Sequence, residues 1–166
     1  MCLKKTPWYS FIYPIRVGAI IAPGSTLDPK RFSRFGWYFG AAFQIQDDLL
    51  NLTGEFAKYG KELGGDIAEG KRTLMLIHLL AACTAREKRA LTRFLAKPRE
   101  KRSADEIAEV YAQMVDYGSI EYARRSARQL AGATLLEAAT AFHGVPDSPQ
   151  KRFIFQMVMY VVNRDR

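Results

Sequence analysis

The chain has 166 residues, 48% hydrophobic and 12% aromatic, enough to bury a sizeable core and to exclude a disordered tail or linker. Its two cysteines, Cys2 and Cys83, exclude a disulfide framework or a cysteine metal cluster and are read as free thiols in a reducing compartment. The net charge is +8, and eight Lys or Arg residues fall within Arg86 to Arg102. Phe94 alone offers no stacking platform there, so this run reads as a solvated helix face and loop and not as a nucleic-acid surface.

Taken in chain order, Tyr9 to Gly24 is apolar but holds Pro14, Arg16 and Pro23. It is too short and too interrupted to span a bilayer. The opening Met1 to Lys5 is a weak match to a signal sequence, so a cytoplasmic location is expected. Asp28-Pro29 reads as an N-cap and first helical residue, with Leu27 and Phe32 as a hydrophobic staple. The helix they start is expected to run to about Leu52, before Thr53-Gly54. Tyr59 to Lys71 holds four glycines and mixed charges and reads as a loop. His78 lies in an apolar helix as a core histidine. Ser103 and Glu106 form a capping box, behind which Ile107, Val110, Tyr111, Met114 and Val115 recur at helical spacing until Gly118.

A further helix is expected over Ile120 to Phe142, burying Ala127, Leu130, Ala131, Ala138 and Phe142. It stops at His143-Gly144. Ser148-Pro149 starts a last helix with Ile154, Met157, Val158, Val161 and Val162 inward. No segment shows strand alternation. The expected fold is an all-α helical bundle in a single domain without repeats.

One helical stripe is polar: Gln44, Asp47, Asp48 and Asn51 stand at i, i+3, i+4 and i+7. Such a stripe can be a plain solvated face. Oxygen-bearing side chains in this pattern can also hold a hard cation such as Mg2+, which takes one or two carboxylates and leaves its other positions to water and phosphate oxygens. Asp66 adds a third carboxylate. Lys61 and Lys71 flank it as point charges suited to phosphate. The coincidence of the stripe with this lysine- and glycine-rich loop favours the cation site.

The residues "FQIQDDLLNLTG" followed by "KYGKELGGDIAEGKRT" resemble the second aspartate-rich motif and lysine loop of trans-isoprenyl diphosphate synthases, the polyprenyl synthetase family, and within it geranylgeranyl diphosphate synthase-like members. "KKTPWYSFIYPIRVGA" resembles the family's Lys-Thr helix, and "YVVNRDR" its C-terminal Tyr…Arg ending. The resemblance covers nearly the whole chain. It implies the isoprenoid synthase fold and condensation of isopentenyl diphosphate with an allylic diphosphate. In that reaction Mg2+ ions join the diphosphate to two aspartate-rich motifs on facing helices.

Carried over by position, the resemblance makes Asp47, Asp48 and Asp66 the metal-site carboxylates. Lys5, Thr6 and Gln44 fall at the reacting centre, and Lys5, Gln44, Lys61 and Lys71 at the diphosphate. Asn51 stands where many members have a third aspartate. Pro7 follows Thr6 without a backbone N–H, at a place where the family helix is kinked. Tyr9 and Tyr13 fall either in the core or along a prenyl cavity. Arg164 and Arg166 either clamp diphosphate or belong to a frayed end.

The family's first aspartate-rich motif has no counterpart in these residues. The chain is therefore expected to be the C-terminal half of the fold, a partial domain over residues 1–166, inactive alone. It is expected to form a homo-oligomer or to associate with a chain bearing the N-terminal half. The alternative is a non-catalytic truncated remnant, or a regulatory partner of a full-length synthase.

Overall fold

The computed structural model describes residues 5–22, 24, 26–53 and 64–163, and no strand occurs among them. The all-α expectation holds. Cys2, Lys61, Arg164, Arg166 and the side chain of Val162 lie outside the described residues.

A π-helical segment, Pro7–Ile12, runs directly into α1, Tyr13–Ile21. Pro7 opens the π-helical segment and continues the helical backbone of Thr6, which is itself right-handed. The Tyr13 N–H reaches back five residues to the Trp8 carbonyl, the wide register that defines a π turn. Proline therefore stays inside the helix that holds Lys5 and Thr6, at the cost of a local change in winding.

Next, a 3-10 turn, Pro29–Phe32, leads into α2, Ser33–Thr53. Its cap is the expected one: the Asp28 carboxylate accepts from the Lys30 N–H at 2.9 Å. Leu27 packs on the aromatic cluster that contains Phe32, as the staple requires. After the short α3, Gly65–Ala68, come α4, Leu74–Ala82, and α5, Ala85–Ala96. Thr84 and Glu87 close a capping box at the start of α5. Ser103 and Glu106 do so for α6, Ala104–Asp116. Gly118, at φ +64, makes the left-handed turn into α7, Ser119–Ala141. The last helix, α8, spans Pro149–Asn163 and is capped by Ser148, whose hydroxyl accepts from the Lys151 N–H at 3.1 Å.

The described residues fall into two compact units. One takes the residues up to Gln46 and those from Ser126 onward; the other takes Asp47 to Arg125. The core of the first is aromatic. Phe35 is fully buried and meets Phe142 edge to face, with centroids 5.1 Å apart. Ala131, Ala138, Val158 and Val161 close around them, and Ile154 and Met157 pack at the edge. The second unit buries Met75, Leu76 and Leu79 of α4, Leu91 and Phe94 of α5, and Val110 and Met114 of α6. Tyr111 and Val115, on the same helical repeat, are exposed.

Within the first unit α2 approaches the π-helical segment at backbone range. A Cβ on Gly40 would stand 2.4 Å from the Pro7 Cα, and one on Gly36 would stand 2.8 Å from the Ile12 side chain. Glycines at i and i+4 leave a smooth stripe on α2, and the proline ring lies against it. Any other residue at position 40 would push the two segments apart.

Candidate functional site

The same glycine stripe continues to Gln44, one turn beyond Gly40. There the Thr6 hydroxyl donates to the Gln44 Oε1 at 2.6 Å. Both side chains are half-buried. Lys5, next to Thr6, is exposed. The close approach at Gly40 is the local reason that Thr6 and Gln44 meet.

In the second unit the acidic residues converge on one cation. The Lys71 ammonium donates to Asp48 Oδ1 and Asp66 Oδ2, each at 2.8 Å. The Asp48 side chain is 5% exposed and that of Asp66 14%. A buried carboxylate without such a partner costs several kcal/mol. Burial opposes the charge on Lys71, but the hydrogen bonds to Asp48 and Asp66 outweigh it and hold the ammonium well above its ordinary pKa. Asp47, the adjacent residue on α2, is exposed.

Asn51 and Arg102 complete the setting. The Asn51 Oδ1 accepts the Asp66 N–H at 3.0 Å, and the Asn51 backbone carbonyl accepts the Gly64 N–H at 3.3 Å. Asn51 thus uses its side-chain oxygen to seat α3. Arg102 corrects the picture of a wholly solvated basic run: its guanidinium is half-buried and donates to the carbonyls of Ala68 at 2.6 Å, Lys97 at 2.7 Å and Leu95 at 3.1 Å. It also stacks over Phe94. Arg86, Lys88, Arg89, Arg93, Arg99 and Lys101 are exposed as expected, whereas Lys97 is half-buried and pairs with Glu106.

The donor set suits a hard cation. Asp48 and Asp66 offer the carboxylate oxygens that a hard cation such as Mg2+ takes, and both bind the Lys71 ammonium. Among the described residues no group of three or more His, Cys, Asp or Glu side chains converges at metal-holding range. His78 is half-buried, stacked on Tyr122 and bonded through Nδ1 to the buried Ser119 hydroxyl at 3.0 Å, in keeping with its core reading. The sequence reading placed Arg102 only at the end of the solvated basic run. Its only signal was the interruption of the basic run by Pro98 beside the Ser103 cap. No helix among the described residues is long and apolar enough to cross a membrane.

The family model described as Polyprenyl synthetase matches residues 1–114. The octaprenyl diphosphate synthase of Haemophilus influenzae is 33% identical over 150 residues, 90% of this chain and 44% of the relative. The geranylgeranyl pyrophosphate synthase of Geoglobus acetivorans is 32% identical over 136 residues, 82% of this chain and 39% of the relative. The crystal structure of geranylgeranyl pyrophosphate synthetase from Pyrococcus horikoshii Ot3 superposes with a TM-score of 0.78 at 28% identity, covering 99% of this chain and 48% of that one. The chain spans less than half the length of each of these proteins. Its helices follow the all-α architecture of that neighbour, and the chain belongs to the polyprenyl synthetase family.

Proposed function

We propose that this chain supplies the second-motif half of a prenyltransferase site that condenses isopentenyl diphosphate with an allylic diphosphate. The observation that carries the reading is the convergence of Asp48 and Asp66 on the Lys71 ammonium, which makes a pre-formed cradle for a cation and a diphosphate. Asp47, Asp48 and Asp66 are the candidate Mg2+ ligands. Bound Mg2+ would neutralise the charge that gathers on a departing diphosphate. Lys71, with its firmly held proton, is a fixed positive charge for phosphate oxygens, and Lys61, ten residues earlier in the sequence, is the second candidate. Thr6 and Gln44 form an ordered polar pair in the first unit. With Lys5 they are the candidates for orienting the allylic substrate at its reacting carbons. Lys5, Gln44, Lys61 and Lys71 are the candidate diphosphate contacts.

The partner is either a second copy or a chain that carries an N-terminal half with the first aspartate-rich motif. Trp8, Tyr9, Tyr13, Ile20 and Ile21 are exposed large apolar side chains concentrated on the first helical segments. Apolar surface of that extent favours association. A second reading, a non-catalytic remnant or regulatory subunit, draws support from the same Lys71 pairing. An acidic pair already neutralised by a lysine is stable without metal.

Calorimetry with Mg2+ and inorganic pyrophosphate, on the chain and on its Asp47→Ala, Asp48→Ala double variant, tests the site. Binding that the double variant does not weaken would remove the aspartates from it. Turnover of labelled isopentenyl diphosphate is measured with the chain alone and with a supplied chain bearing an Asp-Asp-x-x-Asp motif. No turnover alone and turnover with the supplied chain is the expected pattern. None in either case would favour the non-catalytic reading.

A further inference from the structure

The acidic pair is split between a long helix and a very short one. Asp48 sits on α2, whereas Asp66 sits on α3, which is four residues long. A helix of one turn has almost no stability of its own. Its position, and with it the position of Asp66, must come from what holds its ends. The N-terminal end is held by Asn51, through the Gly64 and Asp66 N–H groups. The C-terminal end exposes carbonyls, and one of these, Ala68, accepts the Arg102 guanidinium at 2.6 Å.

Arg102 is itself fixed. Its Nη2 donates to the carbonyls of Leu95 and Lys97, at the end of α5, its Nε donates to that of Phe94, and the guanidinium lies over the Phe94 ring. A second tie, the ion pair of Arg99 with Glu69 at 3.2 Å, runs alongside but is exposed. Gly70 turns the chain at φ +65 between Ala68 and Lys71, and a Cβ there would stand 2.7 Å from the Arg102 guanidinium. The turn that delivers Lys71 to the two carboxylates therefore wraps around Arg102. The Lys71 N–H closes it by donating to the Asp66 carbonyl at 2.9 Å.

We propose that Arg102 is a positioning residue: by anchoring the Ala68 carbonyl to the end of α5 it sets the register of Asp66 and Lys71 against Asp48. This rests on the proposed function only for what the three side chains bind, not for how they are placed. The planar fork is essential, because one lysine ammonium cannot reach three separate carbonyls in this fixed pattern.

Two measurements test it. In ¹⁵N-labelled protein the ion-paired Lys71 ammonium should give a proton signal protected from water exchange. Arg102→Gln and Arg102→Lys should both lose that protection while keeping their helical circular dichroism. Gly70→Ala, which leaves Arg102 in place but crowds it, should do the same. Should Arg102→Gln fail to fold, the lysine and Gly70 variants carry the reading alone.

The second measurement is the affinity for Mg2+ with inorganic pyrophosphate. Arg102→Lys should weaken it about 10-fold to 100-fold, as loss of a residue that orients ligands does. In an Asp66→Asn background the same change should have less than its full effect, because part of its action runs through Asp66. A protected Lys71 signal in both Arg102 variants, or an affinity loss that adds fully to that of Asp66→Asn, would overturn the proposal. Absence of pyrophosphate binding by the unsubstituted chain would instead sink the proposed function, and the Lys71 signal would still decide the role of Arg102.

Discussion

Thr6 and Gln44 are 38 residues apart in sequence, yet their side-chain oxygens lie 2.6 Å apart because Gly40 lets the Pro7 ring lie on the backbone of α2. The hydrogen bond is the outcome of a packing decision made one helical turn earlier.

That dependence makes Gly40→Ala an informative variant. The new Cβ would sit 2.4 Å from the Pro7 Cα, a backbone atom that cannot rotate away. Overpacking of this kind costs about 1–3 kcal/mol, and backbone contact places the change at the upper end. Urea denaturation should show the loss. The Thr6 hydroxyl proton should exchange faster, because the segments must separate. An unchanged midpoint would mean that α2 tolerates displacement at this point.

Lys71→Met should destabilise the chain by about 2 kcal/mol, less than the 3–5 of a fully buried pair, because the lysine is partly exposed. The pH dependence follows from the raised pKa of Lys71. The folded state holds the proton more tightly than the unfolded state does. The lysine's contribution is therefore fully present below the unfolded value of about 10.4, and it is lost as pH rises through the folded value. The stability gap between the parent and Lys71→Met should stay constant from neutral pH to about pH 9 and begin to narrow only above 10.4. Denaturation midpoints at several pH values would show it. A gap that narrows below pH 9 would contradict the pairing.

A third expectation concerns Glu87. Its carboxylate accepts from the Thr84 hydroxyl and from the Tyr117 hydroxyl, the latter at 2.6 Å. The Thr84 bond, then the Tyr117 bond, hold its pKa below the ordinary glutamate value, and the same Glu87 bond raises that of Tyr117. For a lowered carboxylate the stabilisation is present above the unfolded pKa and disappears as pH falls through the folded one. Tyr117→Phe should move the Glu87 titration upward, read by the carboxyl carbon shift in NMR. In the parent chain, Tyr117 should ionise above the ordinary tyrosine value. No movement of Glu87 would mean that Thr84 alone sets its pKa.

The caps at Asp28, Ser103 and Ser148 were legible in the sequence because a cap is a local event: the side chain and the N–H it meets lie within three residues. The Thr84–Glu87 box is just as local, but it stands at the edge of a basic run that drew the reading towards charge. The inward faces of α7 and α8 followed from periodicity alone. Asp48 and Asp66 were legible as cation-site carboxylates and Lys71 as a phosphate-binding charge, but not as a pair closed by that lysine. That closure depends on a left-handed turn at Gly70 and on an arginine 32 positions further on. Arg102 was hidden because its partners are backbone carbonyls, which carry no residue identity. Asn51 read as a ligand by its type, and the structure uses its oxygen on the backbone of α3.

The π-helical segment has a consequence of phase. A π turn accommodates one residue more than an α turn, so Pro7–Ile12 acts as a one-residue offset between Thr6 and α1. Removing a single residue there would leave a continuous α-helix with intact backbone bonding, yet it would rotate everything on one side by about a quarter turn relative to the other. Thr6 and Ile12 could no longer both face α2. The segment is a keyed joint, sensitive to the number of residues it contains more than to which ones they are.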